Sequence, residues 1–415
     1  MWDKMCGQPL EHFAYLSSPT LHGEEMEYVK LAFDTNWVSC IGENIDEMER
    51  ITREWVGRKF SVATGSGTAA LHLAVKLAAE EAYGQPSEGH LSLEGKRVFV
   101  SDTTFVATVS PILYEGGSPV FIDMERETWN MDPEALERAF SLYPDTRIVV
   151  LAHLYGTPGK MDELRTVCQR HGAILVEDAA EALGSTYKGK AAGSFGKYSV
   201  ISFNGNKIIT GSAGGILLSD DQKACEKAKK WSTQSREIAP WYQHEELSYN
   251  YRMSNIVAGI IRGQYSHLDE HIAQKKEIYE RYAAGLRDLP VNMNPVDQVN
   301  STSNHWLSCM LIRPEAMCIE TRRDRYYSYS PAHGKSCPME ILEALDSLLA
   351  QGRPIWKPMH MQPYYKKYAC VTTQGNAEQS VGTDVFHRGL CLPSDNKLTP
   401  ADQYRIIETI HRCFD

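Results

Sequence analysis

Through its first two-thirds the chain alternates short apolar runs with amphipathic stretches, the pattern of strands and helices in succession. The apolar runs predict strands over 97–101, 119–123, 147–152, 173–177 and 198–203. Spacing near 3.6 residues predicts helices over 68–82, 133–142 and 161–171. Strands that are apolar on both sides belong to a parallel sheet covered by helices on both faces, so the fold class is α/β. Boundary signals agree with the pattern. Asp132 followed by Pro133 is a cap and a first-turn proline, and 115–119 (EGGSP) breaks the chain before a strand. The segment 83–90 (YGQPSEGH) reads as loop. A long polar helix is expected from about Ile256 to Leu286, leading into a less regular region rich in Tyr, His and Pro.

Length adds a division into units. At 415 residues the chain exceeds the ~250–300 at which a single core stops growing, so at least two domains are expected. We place a large α/β unit at 15–265 and a smaller α+β unit at 266–415, with residues 1–14 as an extension. A formal net charge of -10 without a sustained basic stripe argues against nucleic acid as a partner. The ten cysteines, among them Cys6, Cys40, Cys168 and Cys391, show neither C-x-x-C pairs nor metal-ligand spacing, so reduced thiols and no metal are expected. No apolar run approaches the ~18 residues of a membrane span, and Met1-Trp2-Asp3-Lys4 does not open a signal peptide. A cytoplasmic protein without a membrane partner is the expectation.

Three elements carry candidate chemistry. Lys207 stands in 202–210 (SFNGNKIIT), where a short apolar strand delivers an amine into a glycine-bearing turn. Asp178 ends 173–178 (AILVED), a strand whose carboxyl end is the edge at which open α/β sheets hold ligands. The stretch 63–74 (ATGSGTAALHLA) is a glycine-bearing turn entering an alanine-rich helix, whose exposed amides suit an anion. Each has an ordinary reading when taken singly: a solvated lysine, a helix cap by Asp178, a helix capped by Thr64 or Ser66. Together an amine, a carboxylate and an anion cup suggest pyridoxal 5'-phosphate, with the lysine in a Schiff base and the aspartate on the protonated ring nitrogen.

The phosphate turn, Asp178 within EDAAEALG and Lys207 within SFNGNK resemble the DegT/StrS family of sugar aminotransferases, from about Leu16 to the C-terminus. The resemblance implies the type I fold of pyridoxal phosphate-dependent aminotransferases and a homodimer with shared active sites. It implies that the Gly67 and Thr68 amides and the Ser202 hydroxyl hold the phosphate, and that Asn250, in YNYRM, reaches it from the partner subunit. It also implies that Phe105, in TTFVAT, lies against the cofactor face and that Glu181 lies near the phenolic oxygen. Phe105 could instead be plain core, and Arg252 a surface ion pair rather than a substrate contact. His305 in NHW and His360 in KPMHMQP are further candidate substrate contacts, although loop histidines are more often simply hydrogen-bonded.

Many members of the family carry Gly-Glu-Gly-Gly after the lysine, whereas this chain reads GSAGG over 211–215, without the acid. A Ser followed by a small residue resembles the nucleotide-aminosugar branch, and 202–210 (SFNGNKIIT) looks most like the branch that aminates nucleotide-linked 4-keto-6-deoxy sugars. Members that became dehydratases replace the lysine with histidine, so Lys207 points to transamination. Lys207, once released, is the base that moves a proton between substrate and cofactor carbons. The implied reaction passes an amino group from glutamate to the C4 ketone of a UDP-linked 4-keto-6-deoxy hexosamine, for surface glycan synthesis. Two alternatives remain at this stage: amination of a cyclitol or other keto-sugar, and a regulatory protein that binds the cofactor without turnover. Compared with the family, 83–96 looks like an insertion.

Overall fold

The computed structural model describes residues 8–323 and 325–415. The expectations for Met1-Trp2-Asp3-Lys4 and for Cys6 therefore lie outside the described residues. Eight strands form the principal sheet in the order Phe60–Thr64, Gly215–Ser219, Tyr198–Ser202, Ile174–Asp178, Ile148–Ala152, Arg97–Ser101, Ser118–Ile122 and Cys370–Val371. Gly215–Ser219 runs antiparallel to both of its neighbours, and every other pairing in the sheet is parallel. The strands are apolar on both sides because both sides are covered: all of Ile148–Ala152 and of Tyr198–Ser202 is buried.

Helix Gly67–Tyr83 shows how sequence becomes position. Ser66 caps it, its hydroxyl accepting the Ala69 N–H at 3.1 Å. Alanine, leucine and valine surround most of its circumference, so it packs tightly beneath the sheet, with every residue from Ala69 to Ala79 buried. Parallel bridging of Ser66 to Gly214 fixes its first turn beside the antiparallel strand. The helix therefore starts at the same sheet edge where Ile174–Asp178 and Tyr198–Ser202 end.

A second sheet, Val291–Met293, Cys309–Ile312, Gly389–Cys391 and Arg353–Pro354 in that order, is antiparallel throughout. Its core joins Met310, Ile312 and Leu390 to Ile278 and Tyr282 of helix Leu268–Gly285, Ile341 of helix Pro338–Ser347, and Ile406 and Ile410 of helix Pro400–Phe414.

Three features depart from the pattern-based reading. The helix expected from Ile256 to Leu286 is broken into Asn255–Arg262, a 3-10 turn at Tyr265–His267 and Leu268–Gly285. The break has a packing cause. A Cβ on Gly263 would lie 2.7 Å from the Glu25 backbone, and the Gln264 carboxamide oxygen accepts the Thr210 N–H at 3.0 Å rather than facing solvent. Residues 8–14, read as an extension, are tied to the second core, where Leu10 and Ala14 are buried and donate backbone hydrogen bonds to Leu348 and Leu349, both at 3.0 Å. The chain beyond 266 also returns to the principal sheet, where Cys370–Val371 pairs with Ser118–Ile122. The segment after Tyr83 is loop as expected, anchored by buried Leu93, whose N–H donates to the Glu115 carbonyl at 2.8 Å.

Candidate active site

The ends of the principal strands and the second sheet enclose a cavity of about 440 Å³. Gly67, Thr68, Phe105, Asp178, Glu181, Ser202 and Lys207 all line it. Seven positions spread over 141 residues of sequence thus meet at one place because three strand ends and one helix start share a sheet edge.

At one end the first turn of helix Gly67–Tyr83 faces Ser202. A Cβ on residue 67 would come within 2.9 Å of the Ser202 Cβ, so only glycine lets the helix start close on that strand end. The result is a cradle of backbone amides beside a hydroxyl, at the positive end of a helix dipole, which is the chemistry a dianionic phosphate requires.

Asp178 lies deep in the cavity, 5% exposed. Its Oδ2 accepts the Thr108 hydroxyl at 2.7 Å and its Oδ1 accepts the Ala180 N–H at 3.1 Å. Burial raises its pKa, and the Thr108 and Ala180 bonds oppose that rise. The ordinary reading, a helix cap by Asp178, does not hold, since no helix follows it; the bond to Ala180 is a local turn bond, so Asp178 both shapes its turn and presents a carboxylate to the cavity. Next to it Glu177 points to the opposite side, where His153 Nε2 lies 2.8 Å from its Oε1 and the Gly193, Phe195 and Gly196 amides donate to it. Burial works against ionisation of Glu177, but the His153 bond and these amides hold its pKa at about 2.

The Lys207 Nζ is 3.5 Å from Glu181 Oε1 and 4.2 Å from the centre of the Trp306 ring. Glu181 Oε2 accepts the Tyr155 N–H at 2.8 Å. Burial pushes the Glu181 carboxyl up to about 7 against the pull of Lys207. Phe105 is half exposed, with its ring 5.6 Å from that of Trp356, so it forms cavity wall and not core.

The remaining candidates lie elsewhere. Arg252 is buried beside Glu49, with Nη1 2.5 Å from the carboxylate and 3.0 Å from the Ala63 carbonyl it donates to; it is an ion pair, as the ordinary reading had it, but an interior one. His305 is buried, its ring 4.4 Å from that of Tyr279 and its Nδ1 without a hydrogen-bond partner among the described residues. His360 Nδ1 is hydrogen-bonded to the Asp102 carboxylate at 2.6 Å, and its Nε2 to the Thr383 hydroxyl at 3.3 Å. None of the three lines this cavity. Asn250 is exposed and outside the cavity of its own chain.

Sequence reading overlooked Thr108 and Trp306, although both stand inside quoted motifs. In NHW the histidine drew attention for its titratable ring, yet the indole beside it faces Lys207. Because His305 has φ 49°, in the left-handed region, the chain turns there and presents Trp306 to the cavity instead.

Pyridoxal phosphate fits this donor set: the amide and hydroxyl cradle for its phosphate, Asp178 for a protonated ring nitrogen, and Lys207 for its carbonyl carbon. The comparisons with known proteins agree. Residues 19–411 match the DegT/DnrJ/EryC1/StrS aminotransferase family. EpsN of Bacillus subtilis (strain 168), provisionally assigned as a pyridoxal phosphate-dependent aminotransferase, is 39% identical over 404 residues, covering 96% of this chain and 95% of EpsN. GDP-perosamine synthase of Caulobacter vibrioides is 32% identical over 397 residues, covering 95% of this chain and 96% of the synthase. The fold is shared with Helicobacter pylori PseC, an aminotransferase involved in the biosynthesis of pseudoaminic acid, at a TM-score of 0.81 and 20% identity over 97% of this chain and 99% of PseC. With a match across nearly its whole length, the chain belongs to the DegT/DnrJ/EryC1/StrS family of aminotransferases and is a pyridoxal phosphate-dependent enzyme.

Proposed function

We propose that this enzyme transfers an amino group from glutamate to the C4 ketone of a UDP-linked 4-keto-6-deoxy hexosamine, giving a 4-amino-4,6-dideoxy nucleotide sugar for surface glycans. The reaction would run in the cytoplasm. The observation that carries the reading is the placement of the Lys207 amine and the Asp178 carboxylate in one cavity with the Gly67–Ser202 cradle. The perosamine synthase relative, whose name includes a GDP-sugar, supports a nucleotide sugar as acceptor; the UDP carrier is the expectation drawn from the family resemblance.

Each residue has a part in this reading. The Gly67 and Thr68 amides and Ser202 hold the phosphate, and Phe105 covers the ring face. Asp178 fixes a proton on the ring nitrogen, and Glu181 stands beside the phenolic oxygen. When bound, the cofactor supplies an electron-accepting ring and a carbon that carries the nitrogen between substrates. Lys207 would then move a proton between the substrate carbon and the cofactor carbon, from a seat bounded by Glu181 and Trp306. In this reading the unit 15–265 holds the cofactor, 266–415 supplies the opposite wall, and Asn250 of a second copy completes the phosphate site in a homodimer.

The test is a visible spectrum of the loaded protein before and after glutamate, followed by mass analysis with UDP- and GDP-linked 4-keto-6-deoxy sugars. A glutamate-dependent loss of the band near ~400–430 nm and a gain of one amino group by the UDP-sugar are expected. A band that glutamate does not change would remove glutamate as donor, and amination of only the GDP-sugar would remove the UDP assignment. The band should be missing in Lys207→Ala.

A further inference from the structure

Helix Leu268–Gly285 carries a buried polar face. His271, Lys275, Tyr279 and Tyr282 follow one another at intervals of four, four and three, which places them in one stripe. His271, Lys275 and Tyr282 are each no more than 1% exposed. Every member of the stripe reaches a carbonyl outside its own helix. His271 Nδ1 is 2.8 Å from the Ile208 carbonyl, and the Tyr279 and Tyr282 hydroxyls donate to Asn294 at 2.8 Å and to Pro393 at 2.9 Å. Lys275 donates to the Ser394 carbonyl at 2.8 Å, to the Ser17 hydroxyl at 3.0 Å and to the Trp306 carbonyl at 3.2 Å.

An apolar stripe would hold a helix to its core at less cost than this one, since burying an ammonium whose hydrogen-bond acceptors are neutral forfeits its hydration, which the charge of buried Asp395 offsets only in part. Burial indeed brings the Lys275 amine down to about 7. What the arrangement gains is aim. Two of the gripped carbonyls belong to Ile208, the residue after Lys207, and to Trp306, whose ring centre is 4.2 Å from the Lys207 amine. Trp306 is held at two further points: its N–H donates to Asn304 Oδ1 at 2.9 Å and its indole N–H donates to the Asn206 carbonyl at 2.7 Å. The residue before it, His305, keeps a left-handed φ of 49° that a non-glycine side chain adopts only where its surroundings impose it. The stripe thus grips the chain on both sides of the amine–indole pair.

We propose that Lys275 is a positioning residue for amino transfer, holding Trp306 by its carbonyl so that the indole stays against the Lys207 amine. This rests on the reading of Lys207 as the amine that joins the cofactor. The indole face favours the protonated form of the nitrogen it covers, and as a wall it limits how far the freed lysine can swing from the reacting carbon.

The experiment compares Lys275→Met, Lys275→Arg and Trp306→Phe with the wild-type holoenzyme. It reads the pH midpoint of the visible band of the lysine-linked cofactor and the single-turnover rate and KM with glutamate. Lys275→Met and Trp306→Phe should each lower the midpoint by about half a pH unit and slow the half-reaction roughly ten-fold while KM changes less than about three-fold. Lys275→Arg should recover part of both losses, and the double variant should be little worse than either single one. A midpoint and rate unchanged in Trp306→Phe would overturn the proposal even if Lys275→Met failed to fold, as would losses that simply multiply in the double variant. A wild-type protein whose band ignores glutamate would instead count against the donor, and the midpoint comparison would still decide the role of Lys275.

Discussion

The Thr108 hydroxyl donates to the buried Asp178 carboxylate at 2.7 Å. That bond joins the 3-10 turn Val106–Thr108 to the end of strand Ile174–Asp178 and opposes the pKa rise that burial imposes on the acid. A hydrogen bond to a charged group contributes about 1.5–3 kcal/mol. Thr108→Val should therefore weaken pyridoxal phosphate binding by roughly ten- to one-hundred-fold, and Asp178→Asn should lose most of the rate while keeping some binding. Titrating the apoprotein with cofactor and following visible absorbance measures this. Equal affinities for Thr108→Val and wild type would mean that Asp178 is held by its own turn alone.

Most of the frame was legible in the sequence, for a physical reason. Helix Pro133–Leu142 falls where cap, proline and spacing put it, and strands Arg97–Ser101 and Ile148–Ala152 follow from apolar runs that only a doubly covered sheet can bury. Lys207 and Asp178 were legible because each terminates such a strand or follows one closely, whereas Ser202 came from the family resemblance. Positions decided by distant packing were not. The break at Gly263 depends on the approach of helix Glu24–Asp34, and the choice of Trp306 over His305 depends on the direction of the backbone at one left-handed residue. Arg252 looked like a substrate contact only because its partner, Glu49, is two hundred residues away in sequence.

Gly67 offers a test of the phosphate cradle that leaves its chemistry intact. An added methyl would sit 2.9 Å from the Ser202 Cβ and 3.1 Å from its Oγ, too close without a shift of the helix start. Gly67→Ala should cost about 1–3 kcal/mol of stability as overpacking and weaken cofactor binding more than Ser202→Ala, which only deletes one donor. Thermal unfolding with and without cofactor separates the two effects. A Gly67→Ala protein with wild-type cofactor affinity would place the phosphate away from this turn.

The Arg252–Glu49 pair is interior, and Glu49 Oε1 also accepts the Ala63 N–H at 2.7 Å, in the strand Phe60–Thr64 that leads into the phosphate turn. Removing the arginine would strand a carboxylate in the protein interior, at a cost of about 3–5 kcal/mol. Arg252→Met should therefore lower stability by that order in chemical denaturation, and Glu49→Met added to it should restore part of the loss. KM for the sugar should stay within about two-fold for whatever fraction remains folded. A stable variant with a large rise in KM would return Arg252 to the substrate site.

Glu181 gives the clearest pH dependence. Burial raises its carboxyl to about 7 from an ordinary 4.5 in spite of the amine of Lys207 at 3.5 Å. Between those two values the folded apoprotein keeps a proton that the unfolded chain releases, so this group withdraws stability as pH rises through the window and withdraws all of it above about 7. Glu181→Gln carries no titrating proton yet can still accept the Tyr155 N–H. Its stability relative to wild type should consequently climb from pH 5 to pH 8, by on the order of 3 kcal/mol at most. Urea denaturation of both apoproteins at several pH values gives the difference directly, and titration of other groups cancels between them. A difference that stays flat across this range would mean that the Glu181 carboxyl ionises as it would in water, and that the amine beside it fully offsets its burial.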